Sequence, residues 1–211
     1  MVNVSDHQQG AGDDSDTTLA SDSPTDYSRR LPGVRDFWIL IVAECTLFSL
    51  FFITYLVNRR GAIRLYETSQ QALDRNLGAF NTVVLIVGSW SVVRALNSVR
   101  LDRSRSASRY LAFSISCGLT FLFVKFVEYR EKFLHGLYPT TNDFFMFYFV
   151  LTMIHMVHLI VGTIVLIVMR RGVRNGRYHG GNMAVLESGA IYWHMVDLLW
   201  IFLFALLYLL R

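Results

Sequence analysis

The chain has 211 residues, of which 53% are hydrophobic, 14% aromatic and 17% charged, with a formal net charge of +4. So apolar a composition excludes an ordinary soluble domain and indicates an integral membrane protein. The positive balance does not imply a nucleic-acid partner, because Arg and Lys sit in short segments between apolar runs, as they do in membrane proteins. Cys45 and Cys117 fall inside apolar runs and form neither a CxxC pair nor a disulfide framework.

Residues 1–30 carry six Asp (Asp6, Asp13, Asp14, Asp16, Asp22 and Asp26), many Ser and Thr, and almost no large apolar side chains. Such a segment buries too little surface to offset chain entropy, which predicts a disordered acidic cytoplasmic tail. It shows no charged n-region followed by an apolar core, so no cleavable signal peptide is expected. Pro32 and Gly33 mark its end, and 31–211 is expected to form one membrane domain.

In that domain, apolar runs predict helices over 36–57, 77–97, 109–131, 143–169 and 188–210. Each reaches the roughly 20 residues that a bilayer crossing requires. The expected fold class is all-α, an integral membrane bundle of five transmembrane helices. Pro24, Pro32 and Pro139 all lie outside the runs, which weighs against a transporter built on broken helices. One end of the bundle collects Arg29, Arg30, Arg35, Arg100, Arg103, Arg105, Arg109, Arg170, Arg171, Arg174 and Arg177. The other has Arg59, Arg60, Arg64, Arg75, Arg130, Lys132 and Arg211. The first set is larger, which predicts a cytoplasmic N-terminus, an external C-terminus and a multi-pass protein of the plasma membrane.

Polar groups inside these runs are the candidate functional residues, since an ionisable side chain in hydrocarbon is costly and seeks partners. The last run places Glu187, His194 and Asp197 on one side of a helix. A rise of about 1.5 Å per residue sets Glu44, His158, His194 and Asp197 in one layer, with His155 one turn from His158. Glu187 completes this expected intramembrane network. Nearer the outer face, Lys125 and Glu128 at i, i+3 spacing suit a structural ion pair or a lipid-headgroup contact, with Tyr129 beside them. The set lacks the paired Glu-x-x-His pattern of carboxylate-bridged metal bundles, so no metal is assigned. Histidines three apart on one helix cannot sit on opposite faces of a porphyrin. With no phosphate loop and no nucleophile beside a base, no catalytic residue is expected. A proton relay through Glu44, His158, His194 and Asp197 in an independent transporter or channel is the rival reading.

The segment ESGAIYWHMVDLLWIFLF from Glu187 resembles the closing signature of the cytochrome c oxidase subunit III family, a Glu followed by Tyr-Trp-His-x-Val-Asp-x-x-Trp. HMVHLIVG, with His155, His158 and Gly162, is similar to that family's paired-histidine segment. Glu44 with Phe51 and Phe52 resembles its carbodiimide-reactive glutamate segment, and Glu128-Tyr129 its Glu-Tyr pair. The resemblance runs in order from Asp36 to Leu210 and matches the short five-helix form. KFVEYREKF, NDFFMFYF and YWHMVDLLW look closest to the branch found beside nitric oxide reductases. It implies an accessory subunit without bound redox cofactors, packed on a catalytic subunit I that carries haem and copper. That partner would belong to a haem-copper oxidase or a nitric oxide reductase. The resemblance further implies structural phospholipids in a V-shaped cleft and support of proton uptake.

Overall fold

The computed structural model describes residues 35–178 and 183–210. The acidic segment expected over 1–30 lies outside the described residues. The described chain is helical throughout: α1 (Arg35–Gly61), α2 (Ile63–Gln70), α3 (Arg75–Arg100), α4 (Ser104–Leu134), α5 (Asp143–Arg174) and α6 (Ala184–Phe204). A π-helical turn, Ala205–Leu209, continues α6 without a break. Five stretches are long and apolar enough to cross a bilayer: Phe37–Gly61, Arg75–Arg100, Ser104–Leu134, Asp143–Arg174 and Ala184–Leu209.

Local chemistry sets the ends. Asp74 caps α3, its Oδ1 accepting from the Asn76 and Leu77 amides at 2.8 and 3.4 Å. Asn142 caps α5 by accepting from the Phe145 amide at 2.9 Å, and Asp143 adds negative charge at the positive end of the helix dipole. The chain leaves α5 through Gly176, whose φ of +66° is left-handed and suits a residue without Cβ. The Arg177 amide then donates back to the Gly172 carbonyl at 3.0 Å.

α6 is the axis of the bundle: 56% of its most apolar window is buried, against 17% for α1, which is therefore a peripheral helix. Lipid tails are as apolar as leucine, so membrane helices associate through close packing and hydrogen bonds rather than through hydrophobic burial. Trp193 of α6 supplies the close packing. Its indole meets the backbone of Gly88 on α3, Gly118 on α4 and Gly162 on α5, where an added Cβ would lie 3.7, 3.0 and 3.3 Å from the ring.

The short helix α2 has no counterpart among the expected elements. It buries Tyr66, Ser69 and Gln70 across the end of the bundle where α1 finishes and α5 begins. Tyr66 stands edge-on to Tyr55 and Phe144, with ring centroids 5.3 and 5.7 Å apart. Burial, with the Asp143 carboxylate nearby, pushes the Tyr66 phenol up to about 12, so it stays neutral. The loop that follows is pinned by Lys132, whose ammonium donates to the Ala72 carbonyl, and Asn142 donates to Ser69 Oγ at 3.0 Å.

Candidate functional site

The polar groups inside the bundle form separate clusters. In the first, Lys125 and Glu128 lie one turn apart on α4, and Lys125 Nζ donates to Glu128 Oε2 at 2.9 Å. Their side chains are 0% and 1% exposed, so no lipid headgroup reaches them. Tyr148 of α5 and Tyr208 of the π turn both donate to Glu128 Oε1, at 2.8 and 2.6 Å. The Tyr208 oxygen in turn accepts from Lys125 at 2.7 Å. The ammonium also lies over three rings, 4.7 Å from the centroid of Trp200, 5.2 Å from Tyr208 and 5.4 Å from Tyr148. Tyr129, next in sequence, turns elsewhere. Its hydroxyl donates to Thr152 Oγ1 at 2.5 Å, and Thr152 donates to the Tyr148 carbonyl at 2.6 Å.

The second cluster joins α1 to α5. His158 Nε2 lies 3.1 Å from Glu44 Oε2, and His158 Nδ1 lies 2.8 Å from the Ile154 carbonyl. A carbonyl only accepts, so Nδ1 carries a proton and donates it there. The Nε2–Oε2 contact is a hydrogen bond only with one further proton, held by the ring or by the carboxyl. Both side chains keep some exposure, 16% for His158 and 24% for Glu44.

His194 and Asp197 form a third group with α3. His194 Nδ1 meets Ser89 Oγ at 2.5 Å, and Asp197 lies one turn beyond His194 on α6. Asp197 Oδ1 has no hydrogen-bond partner among the described residues. Among those residues no hydrogen bond links this group to the Glu44–His158 pair. His155 takes different neighbours from His158. Its ring lies between Phe121 and Trp200, 5.6 and 5.2 Å from their centroids, and neither ring nitrogen has a partner among the described residues. Glu187 stands apart in the first turn of α6, paired with Arg100 at 3.0 Å where their side chains are 21% and 55% exposed. No group of three or more His, Cys, Asp or Glu converges in metal-binding geometry among the described residues.

Sequence reading did not identify Ser89, Tyr148, Thr152 and Tyr208 as partners. Tyr148 sits in an aromatic run and Tyr208 in a leucine-rich one, both of which read equally as packing.

Comparison with known proteins gives these clusters a family. The sequence model of cytochrome c oxidase subunit III matches residues 33–211. The chain is similar to cytochrome c oxidase subunit 3 of Synechocystis sp., at 28% identity over 92% of this chain and 86% of the relative. It is similar to cytochrome c oxidase subunit 3 of Thermostichus vulcanus, at 27% identity over 96% and 98% of the two chains. A probable quinol oxidase subunit 3 of Staphylococcus epidermidis shares 24% identity over 90% of this chain and 96% of its own. With a match that takes in all five membrane-crossing stretches and every cluster above, this multi-pass membrane protein belongs to the cytochrome c oxidase subunit III family.

Proposed function

We propose that the chain is the non-catalytic third subunit of a respiratory haem-copper oxidase, seated against a catalytic subunit I that holds the haem and copper. The observation that carries this reading is the extent of the family match, which covers the whole helical bundle. The geometry agrees with a supporting role, because the buried polar groups bind helices of this chain to one another. Glu44 and His158 are the pair best suited to assist proton uptake by the partner, since they join two protonatable side chains that keep some exposure on peripheral α1. The apolar crevice of about 400 Å³ between α1, α5 and α6, lined among others by Phe37, Val161, Met169 and Tyr192, suits the acyl chains of structural phospholipids. The basic end of the bundle faces the cytoplasm in this reading, which puts the C-terminus outside the plasma membrane.

The test is affinity purification of the tagged chain from its native membrane in mild detergent, read by visible spectroscopy and mass spectrometry. A co-purifying subunit I with haem absorbance is the expected result, and its haem type separates an oxygen-reducing partner from a nitric oxide reductase. A colourless chain recovered without partners would overturn the proposal. The transporter alternative gains nothing from the geometry, because the Glu44–His158 and Ser89–His194 pairs are not joined.

A further inference from the structure

At the end of the bundle where α3 meets α4, a groove opens to the outside between the two helices. Its larger part, about 430 Å³, is lined by Trp90, Ser91, Ser106, Arg109, Tyr110 and Phe113. An adjoining space of about 150 Å³ shares Ser106 and Tyr110 and is walled by Arg94 and Arg103. Trp90, Tyr110 and Phe113 give the groove apolar walls, with Arg109 beside them and Arg94 and Arg103 walling the adjoining space.

Arg94 is held between two aromatic rings. Its guanidinium carbon lies 5.7 Å from the Trp90 centroid and 5.9 Å from that of Tyr110, a cation–π arrangement that restrains a long side chain. Ser91 ties the walls together by donating to the Tyr110 carbonyl at 3.0 Å. Among the described residues, Arg94, Arg103 and Arg109 have no carboxylate within ion-pair distance, unlike Arg100, which takes Glu187. Arginine presents a planar fork of donors that suits phosphate oxygens.

We propose that this α3–α4 groove is a binding site for an anionic glycerophospholipid of the adjacent leaflet, with its phosphodiester between Arg94 and Arg109 and an acyl chain along Trp90 and Phe113. The site is separate from the apolar crevice of α1, α5 and α6, whose walls carry no cation. The ligand is a lipid rather than a soluble anion because the arginines open into an apolar trough that only a chain-bearing ligand would fill.

The experiment is native mass spectrometry of the full chain in mild detergent with equal phosphatidylglycerol and phosphatidylcholine. Wild type is expected to retain phosphatidylglycerol preferentially. The doubly substituted Arg94→Gln/Arg109→Gln chain is expected to lose roughly tenfold of that preference, in line with the attraction of paired arginines for anionic lipid. Arg60→Gln/Arg64→Gln, which removes the same charge at the opposite end, is expected to leave it unchanged. A second reading uses phosphatidylglycerol brominated on its acyl chain, which should quench Trp90 fluorescence in wild type and lose that component in Trp90→Phe. Equal losses in both double variants, or displacement of the lipid by inorganic phosphate at matched concentration, would overturn the site.

Discussion

Two carboxylate–cation pairs in the same membrane domain are built on opposite principles. Lys125 and Glu128 are sealed, at 0% and 1% exposure, and each lone pair or proton that faces inward finds a tyrosine or a ring. Glu44 and His158 are partly open, at 24% and 16%, and share a single hydrogen bond between a peripheral helix and the core. The difference follows from the helices that carry them. α4 packs on α5, which supplies Tyr148, and meets Tyr208 of the π turn, whereas α1 presents most of its surface outward. Sealing makes a pair a structural clamp that cannot exchange its protons readily. Exposure leaves the other pair weak as a clamp.

Breaking the sealed pair should have the largest effect. Glu128→Gln leaves the Lys125 ammonium buried without its counter-charge, and the expected loss of stability is about 3 to 5 kcal/mol. Thermal or denaturant unfolding of the purified chain in detergent, followed by tryptophan fluorescence, measures it. Replacing both partners, Lys125→Met with Glu128→Gln, should recover part of that loss, because no unpaired charge remains. A double variant as unstable as Glu128→Gln alone would mean that the tyrosine hydrogen bonds, not the charge pair, hold the cluster.

Next in size is the tyrosine shell. Tyr208→Phe removes both a donor to Glu128 and an acceptor for Lys125, whereas Tyr148→Phe removes a donor alone. Each net hydrogen bond to a charged group contributes about 1.5 to 3 kcal/mol, so Tyr208→Phe should destabilise more than Tyr148→Phe. The same unfolding measurement ranks them, and the reverse order would remove Tyr208 from the centre of the cluster.

The open pair should respond differently. Glu44→Gln keeps a hydrogen-bonding side chain beside His158 but cannot take up and release a proton, so stability should fall by only about 1 kcal/mol. Turnover of the co-purified oxidase should fall by a larger factor, with the haem spectrum unchanged. Wild-type turnover in Glu44→Gln would assign the pair to packing alone.

The contrast between the clusters was only half legible in the sequence. Unbroken apolar runs announce the five crossings, and the observed helices extend past the expected ends, as in α4, which begins at Ser104 rather than near 109. Polar side chains such as Arg105 and Ser108 hide those extra turns, because hydropathy falls before the backbone stops being helical. The eight residues of α2, IRLYETSQ, have no apolar run at all, and their helix is fixed by docking of Tyr66 and Gln70 on the bundle. The i, i+3 spacing of Lys125 and Glu128 is visible, but their depth is not. Burial depends on Tyr148, 20 residues from Glu128, and on Tyr208, 80 residues away. Glu44 and His158 are 114 residues apart, and only the packing of α1 on α5 pairs them.

A third ion pair gives the smallest expected effect and fixes the scale for the other two. Arg100 and Glu187 join the end of α3 to the start of α6 at 3.0 Å, with Arg100 more than half exposed. Water and salt screen such a pair, and its net contribution is about 0 to 1 kcal/mol. Arg100→Gln should therefore change unfolding little, and raising ionic strength should erase what difference there is. The sealed pair should show no such salt dependence, because ions do not reach it. If Arg100→Gln destabilised the chain as strongly as Glu128→Gln, exposure would not be what separates a clamp from a surface contact, and the α3–α6 junction would carry the stability assigned here to the α4 cluster.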